Sequence, residues 1–185
     1  MPRTTSQARL NTSYPQECLP DVVDHPIVEF DDEEIARFRL FTERRVKVAE
    51  EREKALRGVL GEAAVMRYFG MPLWFTIGPD DGFDMYLGNW TLDAKCAGSK
   101  QRNPSVIFKT ASAFRADVVV LVHEIDTHRF AVCGWADQAI WSEHSEAHET
   151  NGKVKHRLLG RHLRPIDEMV AHLDKCWMRD QLGSS

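Results

Sequence analysis

The chain has 185 residues, 43% hydrophobic and 28% charged, with 24 Lys and Arg against 28 Asp and Glu for a net charge of −4. Length and composition predict one soluble globular domain with a full core, and no stretch reaches the roughly 18 uninterrupted apolar residues of a membrane-spanning helix. A net acidic chain excludes a polybasic, histone-like grip on nucleic acid, while leaving room for a local cationic surface.

Residues 1 to about 30 carry prolines at positions 2, 15, 20 and 26 and little periodicity, so the expectation is an irregular N-terminal arm ahead of a single domain over 31–182. The arm is polar and lacks the apolar stretch of a secretion signal, which predicts a cytoplasmic, reducing location. Cys18, Cys96, Cys133 and Cys176 contain no CxxC pair and are expected to be free thiols. Asp31 and Asp32 can cap a helix whose first turn holds Glu33 and Glu34, with Ile35, Phe38, Leu40, Phe41, Val46 and Val48 as a broken apolar stripe. A second, more apolar helix is predicted across RGVLGEAAVMRYFGMP, stopped by Gly70 and Pro72.

From Leu73 the period changes to that of strands: LWFTI, a hairpin in FDMYLGNWTLDAKC, then SVIFKT, ADVVVLVHEI and HRFAVCGW. The sequence ADQAIW suggests a short helix, SEHSEAHETNGK a polar loop, and PIDEMVAHLDKCWMRDQL a terminal helix with Pro165 near its first turn. Helices followed by strands predict an α/β fold, a mixed sheet flanked by helices.

The hairpin carries the chemistry. With Gly88-Asn89 as a two-residue turn, Leu87 faces Trp90, Tyr86 faces Thr91, Met85 faces Leu92 and Asp84 faces Asp93. Period-two alternation then places Phe83, Met85, Leu87, Trp90, Leu92, Ala94 and Cys96 on one face, with Asp84, Tyr86, Thr91, Asp93 and Lys95 on the other. Directly opposed side chains have Cβ atoms about 4.5 to 5.5 Å apart, where like charges repel. A hard divalent cation such as Mg²⁺ would compensate two such carboxylates, and Lys95 on the same face would neutralise part of their charge. The alternative is a solvent-facing strand side whose Asp, Asp and Lys form an ordinary surface ion pair.

Asp84 followed by Asp93-Ala94-Lys95 resembles the PD-(D/E)xK nuclease superfamily, whose signature is an acid on one strand and (D/E)-x-K on the next. GVLGEAAVMRYFG supplies Glu62 where that superfamily often has a helical glutamate. The resemblance covers about Gly58 to Trp135, and more loosely LRPIDEM, and is to the small stand-alone nucleases of bacteriophages and mobile elements. It implies a restriction-endonuclease-like fold in the cytoplasm of a bacterial or phage-infected cell. It also implies catalytic Glu62, Asp84, Asp93 and Lys95, with Mg²⁺ or Mn²⁺ held by Asp84, Asp93, Glu62 and the Ala94 carbonyl, and DNA as substrate. Two departures stand out: the literal Pro-Asp falls at Pro79-Asp80, leaving Asp80 and Asp81 as turn or secondary acids, and no Gln-x3-Tyr helix motif follows Lys95.

Candidate DNA contacts are Lys100, Arg102, Lys109, Lys155 and Arg157, within a wider basic set that includes Lys153, Arg161 and Arg164. A homodimer is compatible with cutting both strands. Two rival readings remain: a nuclease-like fold that binds DNA or protein without cutting, and a zinc site using His144 and His148 if HSEAH were helical.

Overall fold

A computed structural model of the chain describes residues 25–73, 82–150 and 152–183. The first strand, β1 (Ile27–Glu29), falls inside the stretch expected to be an irregular arm, and antiparallel pairing with a later strand holds it there. Helix α1 (Asp32–Arg45) begins with a capping box: Asp31 Oδ1 accepts from the Glu34 amide at 2.8 Å and Glu34 Oε2 accepts from the Asp31 amide at 3.1 Å. Helix α2 (Ala49–Tyr68) starts well before the expected segment. Glu34 pairs with Arg67 of α2, whose Nη1 also donates to the Glu29 carbonyl at 2.6 Å, so one guanidinium ties together β1, α1 and α2.

The hairpin is β2 (Met85–Leu87) and β3 (Trp90–Ala97), in the register anticipated from its turn: Met85 opposite Leu92, Tyr86 opposite Thr91, Leu87 opposite Trp90. β4 (Ser105–Phe108) follows, then β5 (Val118–Glu124), which lies parallel to β3, and β6 (Arg129–Asp137), antiparallel to β5. The main sheet is mixed, with order β1-β6-β5-β3-β2. The short helix expected near ADQAIW is α3 (Gln138–His144), capped by Asp137. The stretch expected to be a polar loop holds the end of α3, strand β7 (Glu146–Thr150) and the first residue of β8 (Lys153–Leu159), which pairs antiparallel with β7, and β4 joins them in a second sheet of order β4-β8-β7. The loop reading failed because the hairpin is polar on most of its surface and its only deeply buried residue is Leu158. After a 3₁₀ turn at Ile166–Glu168, helix α4 (Met169–Gly183) closes the described chain.

Three layers result. Helices α1, α2 and α4 cover one face of the main sheet, burying Val118, Val120, Val122, Leu92 and Ala94 with Leu60, Ala63, Ala64 and Met169. The small sheet and α3 cover the other face, burying Val119, Leu121, Ala131 and Ala136 with Val106, Phe108, Leu158 and Trp141. The VVVLVH run of β5 is therefore apolar on both sides, as a central strand must be. Phe83, expected beside Met85, packs instead on the small-sheet side, because the chain leaves the strand just before Met85. A β-bulge in β6 pairs Val122 with Val132 but Leu121 with Gly134, so Cys133 is extra and the alternation inverts. Trp135 thereby turns into the helix-side core, and Gly134 (φ 152°) sits where a Cβ would meet the Arg164 carbonyl oxygen at 2.5 Å. Among the described residues no helix is long and apolar enough to cross a membrane. The expected strand LWFTI lies, from Trp74 on, outside the described residues.

Two glycines of α2 give opposite predictions. A Cβ at Gly61 would meet the Cys96 Cβ at 2.7 Å, whereas one at Gly58 would meet nothing within 4 Å. Gly58→Ala is expected to stabilise the protein by about 0.5–1 kcal/mol through helix propensity, and Gly61→Ala to destabilise it by about 1–3 kcal/mol by forcing α2 off β3. Urea denaturation of the two variants beside wild type measures both signs.

Candidate active site

β2 pairs with only three residues of β3, so from Asp93 onward the outer edge of β3 faces the point where the hairpin strands part. Asp84 sits at that parting. Its amide donates to the Leu92 carbonyl at 2.8 Å, and its carboxylate Oδ2 accepts from the Ala94 amide at 2.7 Å, replacing the partner that a longer β2 would supply. This side-chain bond brings Asp84 alongside Asp93, the neighbour anticipated from the turn.

Asp93 is 4% exposed, buried on the small-sheet side of β3. Lys95, two residues on and on the same side, pairs through Nζ with Asp93 Oδ1. Its ammonium also lies 4.9 Å from the centroid of the Phe108 ring, so the small sheet supplies an aromatic wall for this β3 lysine. The pair is therefore not an open surface one: Asp93 is buried, while Lys95 keeps part of its side chain in contact with solvent. Tyr86, expected on this same face, is 60% exposed, and Thr91 is engaged by Asp117, whose Oδ2 accepts from the Thr91 amide and hydroxyl at 2.8 and 2.7 Å.

Glu62 follows Gly61, where a Cβ would strike Cys96 of β3, and is partly buried. Desolvation pushes its carboxyl from the ordinary 4.5 up to about 8, and the negative charges of Asp84 and Asp93 push the same way against Arg45 and Lys95. Asp93 rises from 3.8 to about 7, again by desolvation first, with Asp84 raising it and Lys95 lowering it. The charges of Asp84, Asp93 and Lys95 therefore all act on Glu62. Sequence reasoning missed Arg45, an exposed residue at the end of α1 whose charge acts on Glu62; its only signal was a place in the last turn of a helix.

The resemblance implies a divalent cation here. Carboxylates are the donors that a hard, oxygen-seeking ion takes. Among the described residues no three His, Cys, Asp or Glu side chains are grouped closely enough to hold a metal ion. The bonds explain the spread: one oxygen of Asp93 is engaged by Lys95 and one of Asp84 by the Ala94 amide. Ala94 itself contributes that amide and is 9% exposed.

The other candidates lie elsewhere. Lys100 and Arg102 are exposed in the turn after β3, and Lys109 is exposed just past β4. Lys155 and Arg157 lie on β8, where Arg157 pairs with Glu146 at 2.7 Å. His144 ends α3 while His148 lies on β7, so they share no helical face, and His144 stacks on His162 with centroids 4.6 Å apart. The zinc reading loses its geometric premise. Trp135 and Trp141 are core residues. Pro79, Asp80 and Asp81 lie outside the described residues. No protein-family model matches the chain, and neither the curated proteins nor the solved structures contain a match.

Both Glu62 and Asp93 bind protons more tightly in the folded chain than in the unfolded one. Between about pH 4 and pH 8 the unfolded state therefore holds fewer protons, and stability falls as pH rises through that window. Thermal unfolding in EDTA is expected to show a higher midpoint near about pH 5 than near about pH 8.5, equivalent to a stability difference on the order of a few kcal/mol, and Glu62→Gln should remove about half of it, leaving the share of Asp93. Millimolar Mg²⁺ or Mn²⁺ at the alkaline end should restore part of the lost stability in wild type but not in an Asp84→Asn, Asp93→Asn double variant.

Proposed function

We propose that this protein is a divalent-metal-dependent nuclease of the PD-(D/E)xK kind, hydrolysing phosphodiester bonds of DNA on a restriction-endonuclease-like core. The observation that carries the reading is the burial of Asp93 against Lys95, with Asp84 at the hairpin's parting and Glu62 on α2 close enough for their charges to act on the same group of residues. A surface hairpin has no reason to bury Asp93, and a structural core gains nothing from a buried glutamate and a buried aspartate that both lie in the field of Asp84.

Asp84, Asp93 and Glu62 would hold Mg²⁺ or Mn²⁺, which when bound lowers the pKa of a water and stabilises the charge that builds on phosphorus. The chain's own contribution is positional. Asp84 is fixed by the Ala94 amide, so its second oxygen has a set direction. Lys95 is steered by Asp93 and the Phe108 ring, and offers N–H donors to the attacking water or to a phosphate oxygen. The apolar walls on both sides of β3 limit access by bulk water and strengthen each of these charge interactions. If the reaction follows the resemblance, the products are a 5′-phosphate and a 3′-hydroxyl.

A catalytically silent nuclease fold is the second reading, favoured by the engagement of Asp93 with Lys95 and by the spread of the carboxylates. Cleavage of labelled single-stranded, duplex and branched DNA, with an RNA arm, separates the two. Wild type in Mg²⁺ or Mn²⁺ is expected to cut, and Asp93→Ala and Lys95→Ala to lose about 100-fold or more of that rate while staying folded. Binding without cutting in either metal, or cutting that survives both substitutions, would give the silent fold the better case.

A further inference from the structure

Beside the acids of the hairpin stands a large side chain that the fold leaves uncovered. Tyr86 is 60% exposed on β2, an edge strand of the main sheet. It lies opposite Thr91, and cross-strand partners project from the same face, so Tyr86 shares the small-sheet side of the hairpin with Asp93 and Lys95. Asp93 is its diagonal neighbour, a relation of about 7 to 8 Å that an aromatic side chain can bridge. The Phe83 ring braces Tyr86 edge to face, with centroids 4.8 Å apart and an interplanar angle of 70°. The tyrosine ring thus has a fixed support and most of its surface in solvent.

A cation is set against the same corner. Gly82 has φ 93°, and a Cβ there would meet the Arg115 Cδ at 3.2 Å, so the stem of Arg115 lies along the backbone that leads into Phe83. A second tie holds this arrangement: Asp117, two residues after Arg115, accepts from the amide and hydroxyl of Thr91, the residue across from Tyr86. Arg115 itself is exposed and, among the described residues, enters no ion pair. An open aromatic ring and an unengaged guanidinium are the two elements that hold an unpaired nucleotide, the ring by stacking on its base and the cation by neutralising its phosphate. Inorganic phosphate would use the cation without the ring, and an apolar partner would use the ring without the cation.

We propose that Tyr86, braced by Phe83, and Arg115 form a subsite for an unpaired nucleotide of single-stranded DNA next to the carboxylates of Asp84 and Asp93. The identity of the polymer rests on the nuclease reading, and the inference deepens that reading by naming the form of the substrate. Bases inside a duplex are stacked on one another and closed to a side chain, whereas each base of a single strand can offer its flat face to a ring. Tyr86 therefore selects for strandedness and is tolerant of sequence, because every base has such a face.

The test is equilibrium binding, in EDTA and across a series of salt concentrations, of a fluorescent single strand, the same strand made abasic throughout, and a blunt duplex. The proteins are full-length wild type, Tyr86→Ala, Tyr86→Phe and Arg115→Gln. Wild type is expected to bind the normal strand more tightly than the abasic one. Tyr86→Ala should weaken binding of the normal strand by about five- to a hundredfold while leaving the abasic strand and the duplex unchanged, and Tyr86→Phe should bind as wild type does, since stacking needs the ring and not the hydroxyl. Arg115→Gln should reduce the slope of log K against log salt for the single strand by about 0.7. Unchanged thermal midpoints confirm that the variants fold, and the abasic comparison needs wild type alone. Equal binding of normal and abasic strands overturns the proposal, as does failure of wild type to bind the normal strand, an equal loss for duplex in Tyr86→Ala, or an unchanged slope in Arg115→Gln. Asp93→Asn, assayed for cutting in Mg²⁺ in parallel, separates this inference from the nuclease reading. Undiminished cutting beside Tyr86-dependent binding removes the site assignment and leaves the subsite standing, and lost cutting beside Tyr86-independent binding does the reverse.

Discussion

Three carboxylates share one electrostatic site with a single ammonium at the edge of a sheet that is apolar on both faces, and they cannot all be charged there without compensation. The protein meets this constraint by three devices. Lys95 is brought onto Asp93 by the two-residue spacing of a strand. A backbone amide, freed where β2 stops, is directed onto Asp84. The protons of Glu62 and Asp93 are retained well above the ordinary carboxylate range. Desolvation is the largest cause for both, so the site exists in this form because the layers around it are dry.

The layering therefore matters for chemistry as much as for stability. Helix α2 approaches β3 so closely that a glycine stands at the contact, and the next residue along the helix is Glu62. The small sheet covers the opposite face and sets Phe108 under Lys95. Asp93 lies between these two layers and inherits the low dielectric of both. Were either layer absent, Asp93 and Lys95 would be the surface ion pair that such spacing usually produces, screened by water and of little energetic consequence.

Much of this was legible residue by residue. The Gly88-Asn89 turn dictates its flanking pairs, and the register followed at three of the four expected, while Asp84, expected opposite Asp93, lies just past the end of the ladder. The acidic start of α1, with its reciprocal Asp31–Glu34 bonds, was written in DDEE before an apolar stripe. Less local features were not legible. β1 has three residues and exists through its pairing with β6. The bulge at Cys133 and Gly134 inverts the faces of β6 because the Leu163–Arg164 segment needs room against the backbone of Gly134. The β7–β8 hairpin carries charges on one side and little apolar area on the other, so its strand period is hidden from any reading that looks for hydrophobic alternation.

The sequence by itself determined how the charged residues of the hairpin are spaced, because turn geometry and the two-residue period of a strand act over a few residues and need no distant partner. It placed Asp84 beside Asp93, Lys95 on the same side, and a glutamate on the preceding helix. Only the tertiary structure decided that Asp93 is buried rather than wet, that Asp84 is tied down by Ala94, and that Lys95 meets an aromatic ring from a second sheet. Those properties come from segments up to dozens of residues away packing against β3. Burial, which sets a carboxylate's pKa and the strength of its charge interactions, is a property of the assembled layers.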